Sequence, residues 1–254
     1  MKTSAAGRLL PLAAAALILG LWWALSLRYP PVLLPSPAEV AQAAWTGRDR
    51  LLEATWHTAL SSAGGLLIAG VFGLGGGVLF LRSRWLEAAL YPYALLVQTV
   101  PIVAIAPLLV VWLGYGAPVA VTTAAIVAFF PILTAANVGL RSVSEEQVEL
   151  LTLYGAGWWQ QLIKLRLPGS LPYLLSGLRT AVGLSVIGAI IGEFVGSNGV
   201  PPTLGYLVLQ SSRSAQTGTT FAAIFFATAL ALAAFGLVRL AEARLIDPWH
   251  GDSQ

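Results

Sequence analysis

The side chains in this sequence that could do chemistry are few, and they stand in apolar surroundings. Glu193, in "IIGEFVG", is the one carboxylate deep inside an apolar run. An ionisable group placed there lines a solute pathway, bonds to a neighbouring helix, or reaches for the membrane surface. Gln98 and Thr99 stand beside Pro101 in "VQTVPIVAIAPLLVVW", which also holds Pro107. A proline inside a helix removes one backbone hydrogen bond, so Pro101 and Pro107 kink such a span and free the carbonyls of Val97 and Val103. In a membrane, irregular backbone survives only where protein or a wet cavity satisfies it. Gln98 and Thr99 suit hydrogen bonding to a passing solute, and equally suit those freed carbonyls or a neighbouring helix.

Other chemistry is excluded by absences. No G-x-x-x-x-G-K-[ST] occurs and the only lysines are Lys2 and Lys164, so no loop cradles the phosphates of ATP. Gly183-Leu184-Ser185 is followed by Val186 and Ile187, without the glycine that a nucleophile elbow needs. Cysteine is absent and His57 and His250 are far apart in sequence, which leaves no metal-ligand pattern. The "GLGGG" run places Val78 where a dinucleotide fingerprint needs glycine, and no strand pattern precedes it. We expect no catalytic residue, no metal and no cofactor.

The elements that position these residues are membrane helices. The 254 residues are 57% hydrophobic and only 10% charged, with a mean hydropathy of +0.79, whereas soluble domains carry about a quarter charged residues. A spanning helix needs roughly 20 apolar residues. That criterion places spans near 9–27, 57–80, 91–113, 117–138, 173–196 and 219–238, an all-α integral membrane fold of about six helices. A cleaved signal peptide is the alternative for the first run, which is longer than the usual apolar core of a signal. Nine of the fourteen Lys and Arg residues (Lys2, Arg8, Arg82, Arg84, Arg141, Lys164, Arg166, Arg239, Arg244) fall on one side of that topology, against Arg28, Arg48, Arg50 and Arg213 on the other. The positive-inside rule puts both termini in the cytoplasm and explains the net charge of +3 without nucleic acid. Arg179, inside the fifth run, is expected to snorkel to cytoplasmic headgroups. Residues 28–56 read as an outer connection, a proline-rich turn followed by an amphipathic segment on the membrane surface. Gly65, Ala69, Gly73 and Gly77 recur every four residues, a ridge that lets another helix approach closely.

One cytoplasmic stretch, "ELLTLYGAGWWQQLIKLRLP" from Glu149 to Pro168, is polar between two apolar runs. Ser144 with Gln147 forms a capping box, Glu145 and Glu146 suit a helix N-terminus, and Pro168 and Pro172 are expected to stop the second helix. Leu150, Leu151 and Tyr154 form one apolar face; Trp158, Trp159, Leu162, Ile163 and Leu165 form another. Two short helices joined at Gly155-Ala156-Gly157 follow, free either to rest on lipid or to meet a partner.

Here the sequence resembles a family. Glu149, five residues, Gly155-Ala156 and then Leu165-x-Leu167-Pro168 reproduce the spacing of the cytoplasmic signature loop of ATP-binding-cassette importer permeases, with Leu150 and Leu151 where that family usually has alanines. Pro101-x-x-Ala104-x-x-Pro107-Leu108, Trp112-x-Gly114-x-Gly116 and the tail "RLIDPWHG" look like the nitrate/sulfonate/taurine branch. "VIGAIIGEFVG" with "LGYLVLQ" is most similar to permeases for thiamin-pyrimidine precursors and riboflavin. The resemblance implies a type I importer permease fold. It also implies a second permease copy, cytoplasmic ATPases that bind ATP and receive the loop, an outer solute-binding protein, and import of a pyrimidine precursor, riboflavin or a sulfonate- or nitrate-like anion across the cell membrane. On this reading residues 1–56 are an N-terminal helix and outer connection, 57–240 a permease core with its coupling loop at 141–172, and 241–254 a cytoplasmic tail. The rival is an ion-coupled carrier working without an ATPase, for which internal repeats and buried ion-binding residues would be wanted.

Overall fold

A computed structural model describes residues 5–245; Lys2 and, from Ile246 onward, the tail with His250 lie outside the described residues. Every regular element among them is helical: α1 (Ala5–Ser26), α2 (Pro37–Thr46), α3 (Arg48–Arg82), α4 (Arg84–Thr99), α5 (Ile102–Leu113), α6 (Ala117–Gly139), α7 (Glu145–Leu153), α8 (Trp158–Gln161), a π-helical turn (Leu162–Arg166), α9 (Leu167–Gly196), α10 (Leu204–Arg213) and α11 (Thr217–Leu245). Four helices are long and apolar enough to span a bilayer: α3, α6, the run Trp158–Gly196 and α11. The pair α4 and α5 is long and apolar enough only when taken together, as a span broken, or a loop re-entering, at a bend of 99°, and the apolar part of α1, Ala13–Ser26, is shorter than a full span.

The centre of the fold is α6, held between α3 and α9. Lipid tails are as apolar as leucine, so helices associate in a membrane through close packing and not through hydrophobic burial. On α3, Gly65, Ala69, Gly73 and Gly77 are buried. Gly65 lies against Ala124 and Val121, Gly73 against Ile132 and Leu133, and Gly77 against Ala136. A second ridge, on α9, covers the other side of α6: Gly177 abuts Ala135 and Pro131, Gly188 abuts Thr123 and Ala124, Gly192 abuts Ala120, and Gly196 abuts Val119. Ala69, Ala128, Ile132 and Ala181 form the buried cluster where all three helices meet.

Two expectations about helix ends are corrected. The outer connection is not one amphipathic segment. Ser36 and Glu39 form a capping box that starts α2, which ends at Gly47, and α3 begins at once at Arg48. Leu51 and Ala54 are buried with Val40, Leu204, Leu207, Ala222 and Ala223 instead of facing lipid, so tertiary packing extends the span outward. Trp22 of α1 joins this end, donating from Nε1 to the Pro35 carbonyl at 3.0 Å and stacking on Phe221 and Phe225.

Pro168 and Pro172 do not stop the helix either. The chain widens into the π-helical turn just before Pro168, where the Leu167 amide donates to the Leu162 carbonyl. The wider turn relieves the clash of a proline ring with the carbonyl one turn back. Trp158–Gly196 therefore runs on as one 39-residue helix. Close packing gives a direct test. A β-carbon at Gly65 would collide with Ala124 and the Val121 carbonyl, whereas at Gly70, on the same helix, it meets nothing within 4 Å. Gly65→Val should lower unfolding stability in detergent by about 1–3 kcal/mol through overpacking, and Gly70→Val should leave it unchanged. Equal loss for both variants would refute the assigned packing.

Candidate functional site

At the end of the bundle that holds α2 and α10, Glu193 is 2% exposed. Its Oε2 accepts from Thr58 Oγ1 at 3.0 Å and from the Gly205 amide at 2.9 Å, and Thr58 Oγ1 accepts from the Leu204 amide at 3.0 Å. The carboxylate thus sits under the first turn of α10, where free amides and the helix dipole favour negative charge, and ties α3, α9 and α10 together. Glu193 is thus bonded to neighbouring helices and buried away from the membrane surface. The same residue borders a cavity of about 190 Å³ with His57, Ser61, Ala120 and Thr203. One turn deeper, Ser62 and Ser185 hydroxyls lie 2.9 Å apart, and Thr123 Oγ1 donates to the Gly188 carbonyl at 2.8 Å.

The second location is the bend between α4 and α5. The break falls at Val100 and Pro101, while Pro107 lies inside α5 without interrupting it. The expected pair of kinks is therefore one sharp bend at Pro101. Thr99 Oγ1 donates to the Leu96 carbonyl of its own helix at 2.8 Å, and not to the carbonyls of Val97 or Val103. Gln98, Thr99 and Pro101 border a cavity of about 390 Å³ whose opposite wall is Ile126, Val127, Phe130, Pro131 and Leu184. The structure does not bring Glu193 to this cavity; the two sites are separate.

The third location is the polar loop. The Ser144 hydroxyl accepts from the Gln147 amide and caps α7, but the reciprocal half of the expected box is not formed. Hydrogen bonding of Glu146 to its own backbone amide, and then to the Ser144 hydroxyl, holds its carboxyl below the ordinary value. Gly155 closes α7 with φ +76°, a left-handed conformation that glycine adopts without strain. The Ala156 amide donates to the Leu151 carbonyl, and Gln161 Nε2 bridges Thr152 Oγ1 and the Ala156 carbonyl at 3.0 and 3.1 Å. The two helices are thereby fixed to each other. Glu149 and Leu150 are exposed and Leu151 is half-buried; Leu165 and Leu167 are half-buried and Pro168 exposed at the base of α9. Leu150, Leu153 and Tyr154 on the first helix and Trp159 and Ile163 on the second are exposed apolar side chains, whereas Leu162, expected with Trp159 and Ile163, is turned inward.

Several contacts escaped the sequence reading. Arg179 does not snorkel; it pairs with Glu242 of α11 and lies over the Phe235 ring. Arg141 pairs with Glu87 at 2.6 Å beside Asn137. The opposing charges in each pair lie more than 50 positions apart in sequence, beyond the reach of any local pattern; the four-residue recurrence of Gly188, Gly192 and Gly196 was the one signal that could have revealed the α9 ridge.

A family model described as "Binding-protein-dependent transport system inner membrane component" matches residues 65–250. The chain is 36% identical to a probable ABC transporter permease protein of Haemophilus influenzae, covering 80% of this chain and 82% of that one. It is 34% identical to the riboflavin transport system permease protein RibX of Chloroflexus aurantiacus over 87% and 82% of the two chains. It is 33% identical to the formylaminopyrimidine transport permease protein ThiX of Halalkalibacterium halodurans over 92% and 93%. Among solved structures, an inward-facing MetNI methionine ABC transporter chain superposes with TM-score 0.60 at 19% identity, covering 75% of this chain and 95% of that one.

The geometry around Glu193 makes a prediction. Glu193→Leu strands the Thr58 hydroxyl and the Gly205 amide in a buried site and should cost about 3 kcal/mol. Glu193→Gln keeps an oxygen for both donors and should cost less than half of that. Thermal unfolding in detergent reads the difference; equal melting of both variants and the parent would show that the carboxylate holds nothing.

Proposed function

We propose that this chain, which belongs to the family of binding-protein-dependent transport system inner membrane components, imports its solute by alternating access driven from the Glu149–Pro168 loop. It is an ABC importer permease subunit with several membrane-crossing helices, and it has the type I importer permease fold. Transport here is gating. ATP is bound by a separate ATPase, and a solute-binding protein delivers cargo at the α2 and α10 end, which the charge bias places outside. A second copy of the chain completes the pathway.

The observation that carries this reading is mechanical. The exposed apolar face of α7 and α8 is not an appendage, because α8 continues without a break through the π-helical turn into α9. Whatever seats on that face moves a helix whose far end holds Glu193 and whose middle, at Leu184, walls the bend cavity. Binding of a partner to one state of the loop biases the whole bundle between inward and outward openings.

The cargo we propose is an uncharged, nitrogen-rich heteroaromatic of the pyrimidine-precursor or riboflavin type. Its support is the wall of the bend cavity, which offers the amide of Gln98 and the hydroxyl of Thr99 but no lysine or arginine. A sulfonate or nitrate would call for a cationic partner, and Arg179, the half-buried arginine of α9, is already paired with Glu242.

Gly155 tests the loop. A β-carbon there meets no atom of this chain within 4 Å, so within the subunit only the backbone angle restricts the position. Asparagine tolerates that angle better than other residues with side chains. With the ATPase and binding protein reconstituted in proteoliposomes, Gly155→Leu should release the ATPase or uncouple hydrolysis from uptake, while Gly155→Asn should retain most coupled uptake. Loss in both variants would mean that the ATPase approaches the glycine closely. Normal uptake by Gly155→Leu would sink the role of this turn. Reporter fusions supply the orientation: a reporter after Ser214 should be external and one after Ser83 internal.

A further inference from the structure

Helix α4 has no buried residue, although it forms half of the bent pair. Its middle touches the bundle through Tyr91, which packs edge-on against Phe80 and tilts against Phe130. Its base is held by one polar node. Glu87 Oε2 accepts from Arg141 Nη2 at 2.6 Å, and Oε1 accepts from Asn137 Nδ2 at 2.8 Å. Arg141 also donates to the Phe80 carbonyl at 3.0 Å and to Asn137 Oδ1 at 3.2 Å. Both charged side chains are less than one-third exposed, and hydrogen bonds between ionised partners in such a setting are about twice as strong as neutral ones.

The position of Arg141 in the chain gives the node its meaning. It lies just ahead of Ser144, the cap of α7, and the preceding carbonyl, that of Leu140, accepts from Arg166 Nη1 at 2.9 Å. The two ends of the coupling loop are thus clasped together, and Arg141 reaches from the clasp to α4. The far end of α4 carries Gln98 and Thr99 to the bend cavity. We infer that Arg141 and Glu87 are a positioning pair, a second transmission line that carries displacement of the α7–α8 loop to the α4–α5 bend, in parallel with α9. The inference rests on the loop's being the site where an ATPase acts, as proposed above.

The test uses the full transporter in proteoliposomes. The chain has no cysteine, so spin labels introduced at Tyr93 on α4 and Val138 on α6, both exposed, report the separation of α4 from α6, with singly labelled transporters giving the distances between copies. In Glu87→Leu the loop is untouched and the ATPase should still co-purify. Uptake should fall about tenfold, the size of one lost charged hydrogen-bonded contact, while hydrolysis continues, and the nucleotide-dependent change in label separation should vanish. Arg141→Lys keeps the charge and loses the fork; it should retain part of both uptake and distance change, and it serves as the working variant if Glu87→Leu does not fold. A Glu87→Leu or Arg141→Lys transporter with the parent's uptake per ATP and the parent's distance change overturns the inference. So does loss of uptake and hydrolysis together with the distance change intact, which would indicate a merely structural node. If the parent itself neither binds the ATPase nor imports on ATP, it is the functional reading that fails.

Discussion

The structure depends on how closely α6 is approached from both sides. In lipid no apolar surface is hidden from water when two helices meet, so the gain must come from dispersion contacts, and these fall off steeply with distance. Gly65, Gly73 and Gly77 on one side and Gly177, Gly188, Gly192 and Gly196 on the other remove the side chains that would hold the backbones apart. The alanines of α6 complete the fit. At Gly188 the approach is close enough for the Thr123 hydroxyl to reach a carbonyl of α9 at 2.8 Å, a contact that a larger side chain at Gly188 would prevent.

Polar groups inside such a bundle must be answered by the bundle itself. The glycine ridges bring α3 and α9 near enough for Ser62 to meet Ser185 and for Thr58 to meet Glu193. Glu193 in turn accepts from the Gly205 amide in the first turn of α10, beyond what that helix's own cap, the Thr203 hydroxyl on the Tyr206 amide, can satisfy. The same problem is solved differently outside the bundle: α2 starts on Ser36, whose hydroxyl and reciprocal Glu39 cap it locally. A helix that begins beside solvent can be capped by its own sequence. One that begins against the core can use a carboxylate from a distant segment.

That difference explains what could be read from the sequence. The four-residue spacing on α3 and the alternation of apolar runs with charged loops are local and periodic, and the all-helical membrane fold follows from them. Gly155 is likewise legible, since glycine after an apolar helical turn signals its end. Pro101 and Pro107 look alike in sequence, yet only Pro101 marks the break, because helix α5 starts directly after it while Pro107 is absorbed within that helix. Pro168 misleads for a related reason: a π-helical turn is a tertiary compromise with no sequence mark of its own. Pairings such as Arg141 with Glu87, and Arg179 with Glu242, depend on which helices become neighbours, which hydropathy does not encode.

The division between tight and loose packing also bears on how the subunit can move. At about 1.5 Å per residue, the 39-residue helix Trp158–Gly196 is roughly 58 Å long, nearly twice a hydrocarbon core of about 30 Å. Its base must therefore stand in the aqueous phase, where it carries α8 and the exposed aromatic face. Within the membrane, α3, α6 and α9 interlock through ridges, and close-packed interfaces of this kind do not deform continuously; they shift between discrete packings or move as one body. The α4–α5 bend has no such constraint, since its base is held by side chains and its corner by a proline. A push on the loop should thus turn the three-helix core as a unit and change the shape of the bend against it, so that the wall around Gln98 and Thr99 is the part of the subunit whose geometry differs most between states.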